Sequence, residues 1–304
     1  MARYDKDWKS IDEQLVLLVD RGLPDAGGFR HELETIGYYR LSGYWYNFRQ
    51  PSSIGSGRSD TFVPGASMAS VVALYQFDEQ LRRAVWNAIS PIELAVRAAV
   101  GHQLGKIDAF SHLERRSLHA RVNLEEHATF IAQVQLAQRR SHEEFVRHFH
   151  TKYDGTLPVW VVTEILQFGQ TVKLYEFAAY ERRRLIAEGF GARADELLSW
   201  LRSLNIVRNV VAHHGRLWNR SIGVQPQLNR RSPSPLKHAQ GRSDRIYGVL
   251  AITAYLLRQL KSEGPIAQLR CALSGLPEIA GVTPAMMKMP DHWQDLEIWQ
   301  VTTT

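Results

Sequence analysis

Residues 194–214, ADELLSWLRSLNIVRNVVAHH, constrain the fold of this chain more than any other stretch. They read as one helix of about six turns at 3.6 residues per turn. Gly215 follows where a C-cap glycine stops a helix. The other strong signals are helical too. SPIELAVRAAVGHQL predicts a helix with Ser90 as N-cap, Pro91 at the first position and Glu93 closing a capping box. NLEEHATFIAQVQLAQ repeats the device with Asn123 and Glu126, and SHEEFVRHF with Ser141 and Glu144. Residues 67–89 carry Val71, Leu74, Phe77 (or Asp78), Leu81 and Val85 at helical spacing. PVWVVTEILQF, residues 158–168, is β-branched, but its length and leading Pro158 favour a buried helix. RIYGVLAITAYLLRQLKSEG, residues 245–264, is a further helix ending in glycine. The expected fold class is all-α.

The best strand signal, GYYRLSGYWYNF at 37–48, is aromatic and ambiguous. With Arg40 its rings could stack on RNA bases, although aromatics in a helical protein belong first to the core. Two loops stand out. Residues 49–67 separate an N-terminal helical region from the main body. Residues 228–245 are rich in Pro and Ser and carry Arg230, Arg231, Lys237, Arg242 and Arg245 against Asp244 alone. That second loop is either a solvated, mobile connection or an RNA-contacting one. The expected organisation is an N-terminal helical region at 1–66, a helical core at 67–275, and a C-terminal segment at 276–304 that packs on the core.

A chain of 304 residues suffices for one large domain or two small ones. With 44% hydrophobic residues, eight tryptophans and eleven tyrosines, it can build an aromatic-rich core. A formal net charge of +6 permits an anionic partner such as nucleic acid without demanding one. Cys271 is the single cysteine, which excludes an intrachain disulfide and a thiolate metal cluster. The opening MARYDKDWKS carries no apolar signal core. No apolar run approaches the roughly 18–20 residues of a membrane helix. The expectation is a soluble, cytoplasmic protein with no membrane partner.

The chemistry concentrates in RNVVAHHGRLWNR, residues 208–220. On a continuous helix Arg208 and His213 point about 140° apart, so they do not face one another as an i,i+4 pair does. A long arginine can still share a pocket with the histidine, or two copies can build one pocket by symmetry. Arginine offers a planar, permanently charged fork for phosphate oxygens, and histidine exchanges protons near neutrality. Together they suit cleavage of RNA by its own 2′-hydroxyl, with no metal and no cofactor. No Asp or Glu occurs from 197 to 243, which argues against a two-metal nuclease centred here. The plainer alternative is that the histidines complement the helix dipole and Arg208 is a solvated or ion-paired residue. His213 and His214 project about 100° apart and make poor joint zinc ligands. A second Arg-x4-His, Arg97 to His102, lies in what reads as a core helix. Glu164, a carboxylate in an apolar run, is expected to be buried against an arginine such as Arg208.

RNVVAHHGRLWNR closely resembles the signature of the Abi-like family, the AbiD/AbiF-type bacterial abortive-infection proteins. IGYYRLSGYWYNF, LYQFDEQLRR, IELAVR, PVWVVTEILQFG and MPDHWQDLEIW lie in the family's order, so the resemblance covers nearly the whole chain. The family is grouped with the HEPN superfamily, whose ribonucleases carry an arginine, four to six residues, then a histidine. The resemblance implies an HEPN-like helical bundle and metal-independent endoribonuclease activity. Arg208 matches the arginine, Asn209 the polar follower and His213 the histidine. His214 fits a five-residue gap, so the two remain alternatives, with RN-x-x-x-H the commoner form. An active site shared by a homodimer, a phage-defence or toxin role, and a small non-coding RNA as inhibitor are also implied. Arg216, Arg220, Arg230, Arg231 and Lys237 are the expected phosphate contacts around that site. The alternative is a regulatory member that binds RNA without cutting it.

Overall fold

The computed structural model describes residues 7–52 and 57–300. It is 63% helical and 3% strand, so the chain is all-α. Residues 1–6 of the MARYDKDWKS opening, residues 53–56 of the first loop and residues 301–304 lie outside the described residues. The chain divides into two compact units, one running to Arg82 and including 272–284, the other holding 83–271 and the residues from Ala285 on.

The first unit contains α1 (Ile11–Asp20), α2 (Arg30–Thr35), α3 (Tyr38–Trp45), β1 (Arg49–Pro51), β2 (Arg58–Phe62) and the start of α4 (Met68–Gly105). Residues 38–48 are helical, α3 followed by a 3-10 turn, which resolves the ambiguous strand signal at 37–48 as helix. Leu41, Tyr44 and Trp45 are buried at a spacing of three and one, and an inward stripe of that spacing belongs to a helix. Most of the aromatic potential there serves the core, although Tyr39 and Tyr46 are exposed. The segment expected as loop holds a small antiparallel hairpin, pairing Arg49 with Phe62 and Pro51 with Arg58. The Asp25 carboxylate accepts from the backbone N–H groups of Met68 (2.7 Å) and Ala69 (2.9 Å), capping α4 from a distant part of the chain. Tyr44 donates to buried Asp78 (2.7 Å), which also pairs with Arg82. Burial, then the Asp78 charge, holds the Tyr44 phenol above its ordinary range.

The second unit contains the rest of α4, α5 (Leu124–Arg140), α6 (Glu144–Lys152), α7 (Val159–Ile165), α8 (Phe168–Phe177), α9 (Tyr180–Gly189), α10 (Ala194–Ala212), α11 (Ile246–Gln259) and the start of α12 (Gly264–Ser274). The expected break at Ser90 is absent, because α4 runs unbroken through Pro91. An interior proline forfeits a backbone hydrogen bond and costs roughly 3 kcal/mol. Val85, Ala88, Ile89, Ile92, Val96, Val100 and Leu104 form an unbroken buried stripe across it. Burial of that stripe outweighs the local cap signal. Ser141 is likewise displaced. It ends α5 as C-cap, and α6 starts after Glu143. Asn123 and Glu126 do form the expected capping box, at 2.8 and 3.4 Å.

α10 packs against α8, α9 and α11. All residues of α11 from Ile246 to Leu257 are buried, so it is the innermost helix of this unit. It stops at Gln259 with Lys261 in the left-handed region, so the expected terminal glycine, Gly264, instead opens α12. Trp200 on α10 donates to the Gln227 carbonyl (2.8 Å), and Tyr175 on α8 to that of Ala194 (2.9 Å). Residues 228–245 are no solvated connection along their length. Leu236 and Ala239 are fully buried, Ser232 bonds buried Glu196, and Arg245 donates to the Asn219 carbonyl (2.8 Å). No helix of the described residues is long and apolar enough to cross a membrane.

Candidate functional site

Arg208 leaves α10 one turn before its end and reaches α4. Its Nε lies 3.4 Å from Oε2 of Glu93, and its Cζ lies 5.3 Å from the Trp86 ring centre. The other oxygen of Glu93 bonds Arg97, whose guanidinium also donates to the Thr163 carbonyl (2.6 Å) on α7. One largely buried carboxylate thus sits between two arginines from different helices. The arrangement follows from spacing: Trp86, Ser90, Glu93 and Arg97 recur every three or four residues and share one face of α4. Together with Arg208 and Glu164 they line a cleft of about 320 Å³.

The Arg208 side chain is 27% exposed, and its Nε is buried without an aligned hydrogen bond despite its nearness to Glu93. No hydrogen bond or ion pair among the described residues engages its two terminal nitrogens. A fork held at its root with open tips is the geometry that receives two oxygens of an anion. Arg208 also borders a second, more polar cleft of about 670 Å³, walled by Asn209, Asn205, Gln133, Gln170 and Arg140.

The two histidines are placed differently. α10 ends at Ala212, His213 is its C-cap, and His214 takes the left-handed conformation with φ +54°. Gly215 N–H bonds the Val210 carbonyl (2.7 Å) and His214 N–H that of Val211 (2.9 Å), a Schellman closure. The left-handed residue is therefore His214, which corrects the assignment of that position to Gly215. A non-glycine residue there stores on the order of 1 kcal/mol of strain. Gly215 is required for another reason: a Cβ on it would lie 2.9 Å from Val210 Cγ1 and 3.1 Å from the Val210 carbonyl oxygen. Both histidines are exposed, and neither lines the two clefts of its own chain. Arg216 is half-buried, and Arg220, Arg230, Arg231 and Lys237 are exposed.

Several expectations change here. Glu164 is exposed, not buried. It lines both clefts beside Arg208, but its carboxylate forms no ion pair among the described residues. The carboxylate facing Arg208 is Glu93, read from the sequence only as the acid of a cap. The lack of acids near Arg208 in sequence does not carry into space, because α4 and α7 bring Glu93 and Glu164 to it. Among the described residues, no three His, Cys, Asp or Glu side chains converge as a metal site would require. Arg97, singled out for its spacing to His102, instead serves Glu93, while His102 is exposed. The sequence marks Trp86 only by its place on the Glu93–Arg97 face of α4.

No curated protein and no solved structure matches this chain. The Abi-like protein family matches residues 31–219, well over half of the chain, and the match contains α4, α7 and the whole of α10 with Arg208 and both histidines. The motifs from IGYYRLSGYWYNF to RNVVAHHGRLW lie within the match, MPDHWQDLEIW lies beyond it, and the chain belongs to the Abi-like family.

Proposed function

We propose that this chain is a metal-independent endoribonuclease of the HEPN type, acting as an abortive-infection effector in phage defence in the cytoplasm. The observation that carries the reading is the open guanidinium fork of Arg208 at the junction of two clefts. Arg208 holds the scissile phosphate and neutralises charge as it develops. His213 transfers the proton, with Asn209 and His214 positioning the reacting groups. The 2′-oxygen attacks phosphorus and its proton passes to a base. The bond to the 5′-oxygen breaks, and that oxygen takes a proton. The products are a 2′,3′-cyclic phosphate and a 5′-hydroxyl. Because His213 lies outside the clefts of its own chain, the complete site is a two-fold dimer, in which an exposed histidine approaches a phosphate on Arg208. A small non-coding RNA is a fitting inhibitor, since it would compete for the same groove. The placement of both histidines also favours a second reading, an RNA-binding regulator that does not cut.

Cleavage of total RNA by the purified chain is expected to persist in EDTA. Its specific rate should fall when the protein is diluted far enough for light scattering to show monomer. Activity lost in EDTA and restored by magnesium would refute the mechanism. Binding without cleavage, in wild type as in His213→Ala, would establish the regulator.

Arg216, Arg220, Arg230, Arg231 and Lys237 are assigned phosphate contacts that carry no sequence information. Reversing Arg230, Arg231 and Lys237 to glutamate should weaken RNA binding and flatten its dependence on salt, while cleavage at saturating RNA stays near wild type. Unchanged affinity and slope across a salt series would make the segment a spectator.

A further inference from the structure

Trp86 stands apart from the buried tryptophans of this chain. Trp45, Trp200, Trp218 and Trp299 are fully buried, whereas Trp86 is 44% exposed. It lines the same cleft as Arg97 and Arg208, and the Arg208 guanidinium carbon lies 5.3 Å from its ring centre. We infer that Trp86 is the platform on which a base of RNA stacks, beside the phosphate held by Arg208, and that the substrate is therefore unpaired RNA. The inference rests on the ribonuclease reading above and adds the substrate class and the residue that selects it.

Three features support it. A phosphate seated on Arg208 carries its nucleotide within a few bonds, so the attached base falls within reach of a ring 5.3 Å from the guanidinium carbon. The charged residues of the cleft balance, Arg97 and Arg208 against Glu93 and Glu164. Net charge alone does not draw RNA into such a cleft, so directional contact by the fork and stacking on an aromatic face must supply the affinity. The second cleft, which shares Arg208, presents the side-chain amides of Asn205, Asn209, Gln133 and Gln170. Amides pair with base edges, and those edges are open only in a single strand. A strand crossing Arg208 thus meets an indole on one side and amides on the other. A base inside a duplex has both faces covered by its neighbours and cannot use either surface.

The test uses the full chain and a short fluorescein-labelled RNA, alone and annealed to its complement. Wild type is expected to bind the single strand more tightly than the duplex. Trp86→Leu should weaken single-strand binding about 5- to 150-fold, the loss of one base–aromatic stack, with little change for duplex. Trp86→Phe should retain most of the affinity. A single strand carrying 2-aminopurine should be quenched by wild type and not by Trp86→Leu. Equal binding of the single strand by wild type and Trp86→Leu overturns the inference, as does equal binding of duplex and single strand by wild type. So does a change of oligomeric state in Trp86→Leu with RNA affinity intact, which would make this surface a contact between copies. If Trp86→Leu fails to fold by circular dichroism, the wild-type quenching decides alone, and its absence overturns the stack. A wild-type chain that neither binds nor cuts any RNA removes the ribonuclease reading and this inference with it. A chain that cuts, with Trp86→Leu binding and cutting alike, removes the stack only.

Discussion

Arg208→Ala is expected to lower RNA cleavage by about 10²–10³-fold, the usual effect of deleting one group that stabilises charge in a transition state. The fork tips are open and its root leans on Glu93, so the side chain is already in place when the phosphate arrives. If the contact strengthens as charge develops, kcat and kcat/KM fall together. Arg208→Lys should rescue little, because an ammonium lacks the planar two-oxygen grip and cannot span from Glu93 to the cleft in the same way. His213→Ala should cost a comparable factor, about 10²–10⁴, as the loss of a proton-transfer group. On the proposed mechanism, the larger loss in a comparison with His214→Ala marks the histidine that transfers the proton. Removing Arg208 leaves Glu93 with Arg97 alone, so thermal melting must accompany the kinetics. A folded Arg208→Ala protein that cuts at the wild-type rate would refute the assignment.

The fold itself is expected to lose about 3 kcal/mol of stability as pH falls from 6.5 towards 4, through His112. This ring is buried, its Nδ1 lacks a hydrogen-bond partner, and its carbonyl accepts from Nε2 of buried His127 (2.9 Å). Burial first, and the charge of His127 second, push the His112 imidazole down from 6.5 to about 4. The unfolded chain takes up a proton below 6.5 that the folded chain refuses until about 4. Stability from this group is thus fully present above 6.5, declines as pH falls, and is entirely lost below about 4. Urea unfolding at a series of pH values should show that slope. His112→Leu, which removes both the proton site and the unbonded ring nitrogen, should flatten it. An unaltered slope in the variant would place the titration elsewhere.

The helical class, the cap at Asn123 and the long α10 follow from local rules of hydrophobic period and backbone capping, and they are legible in the sequence. Errors arose where a local signal met a stronger tertiary one. Ser90 and Pro91 read as a helix start, yet the buried stripe from Val85 to Leu104 carries α4 straight through them. The Pro- and Ser-rich segment at 228–245 reads as a solvated connection or an RNA contact, and neither reading foresees that Leu236 and Ala239 seat it in the core. Residues 37–48 stay ambiguous in sequence because aromatic density is common to strands and to buried helix faces.

The site divides in the same way. Arg208, Asn209 and the histidines announce themselves, because arginine beside asparagine with a histidine at fixed spacing is a pattern within one helix end, and chain order alone sets it. The family match covers that stretch. What surrounds Arg208 comes from elsewhere. Glu93 and Trp86 stand more than a hundred residues earlier on α4, and Glu164 on α7. No local rule links them to residue 208. Only the packing of helices decides which side chains share a cleft, because contact between elements depends on which faces are buried together and not on distance along the chain. By itself the sequence determined that the chain is helical and that Arg208, Asn209, His213 and His214 stand together at the end of α10. The tertiary structure decided that Arg208 leans on a carboxylate shared with Arg97, beside an exposed indole, and that neither histidine lines those clefts.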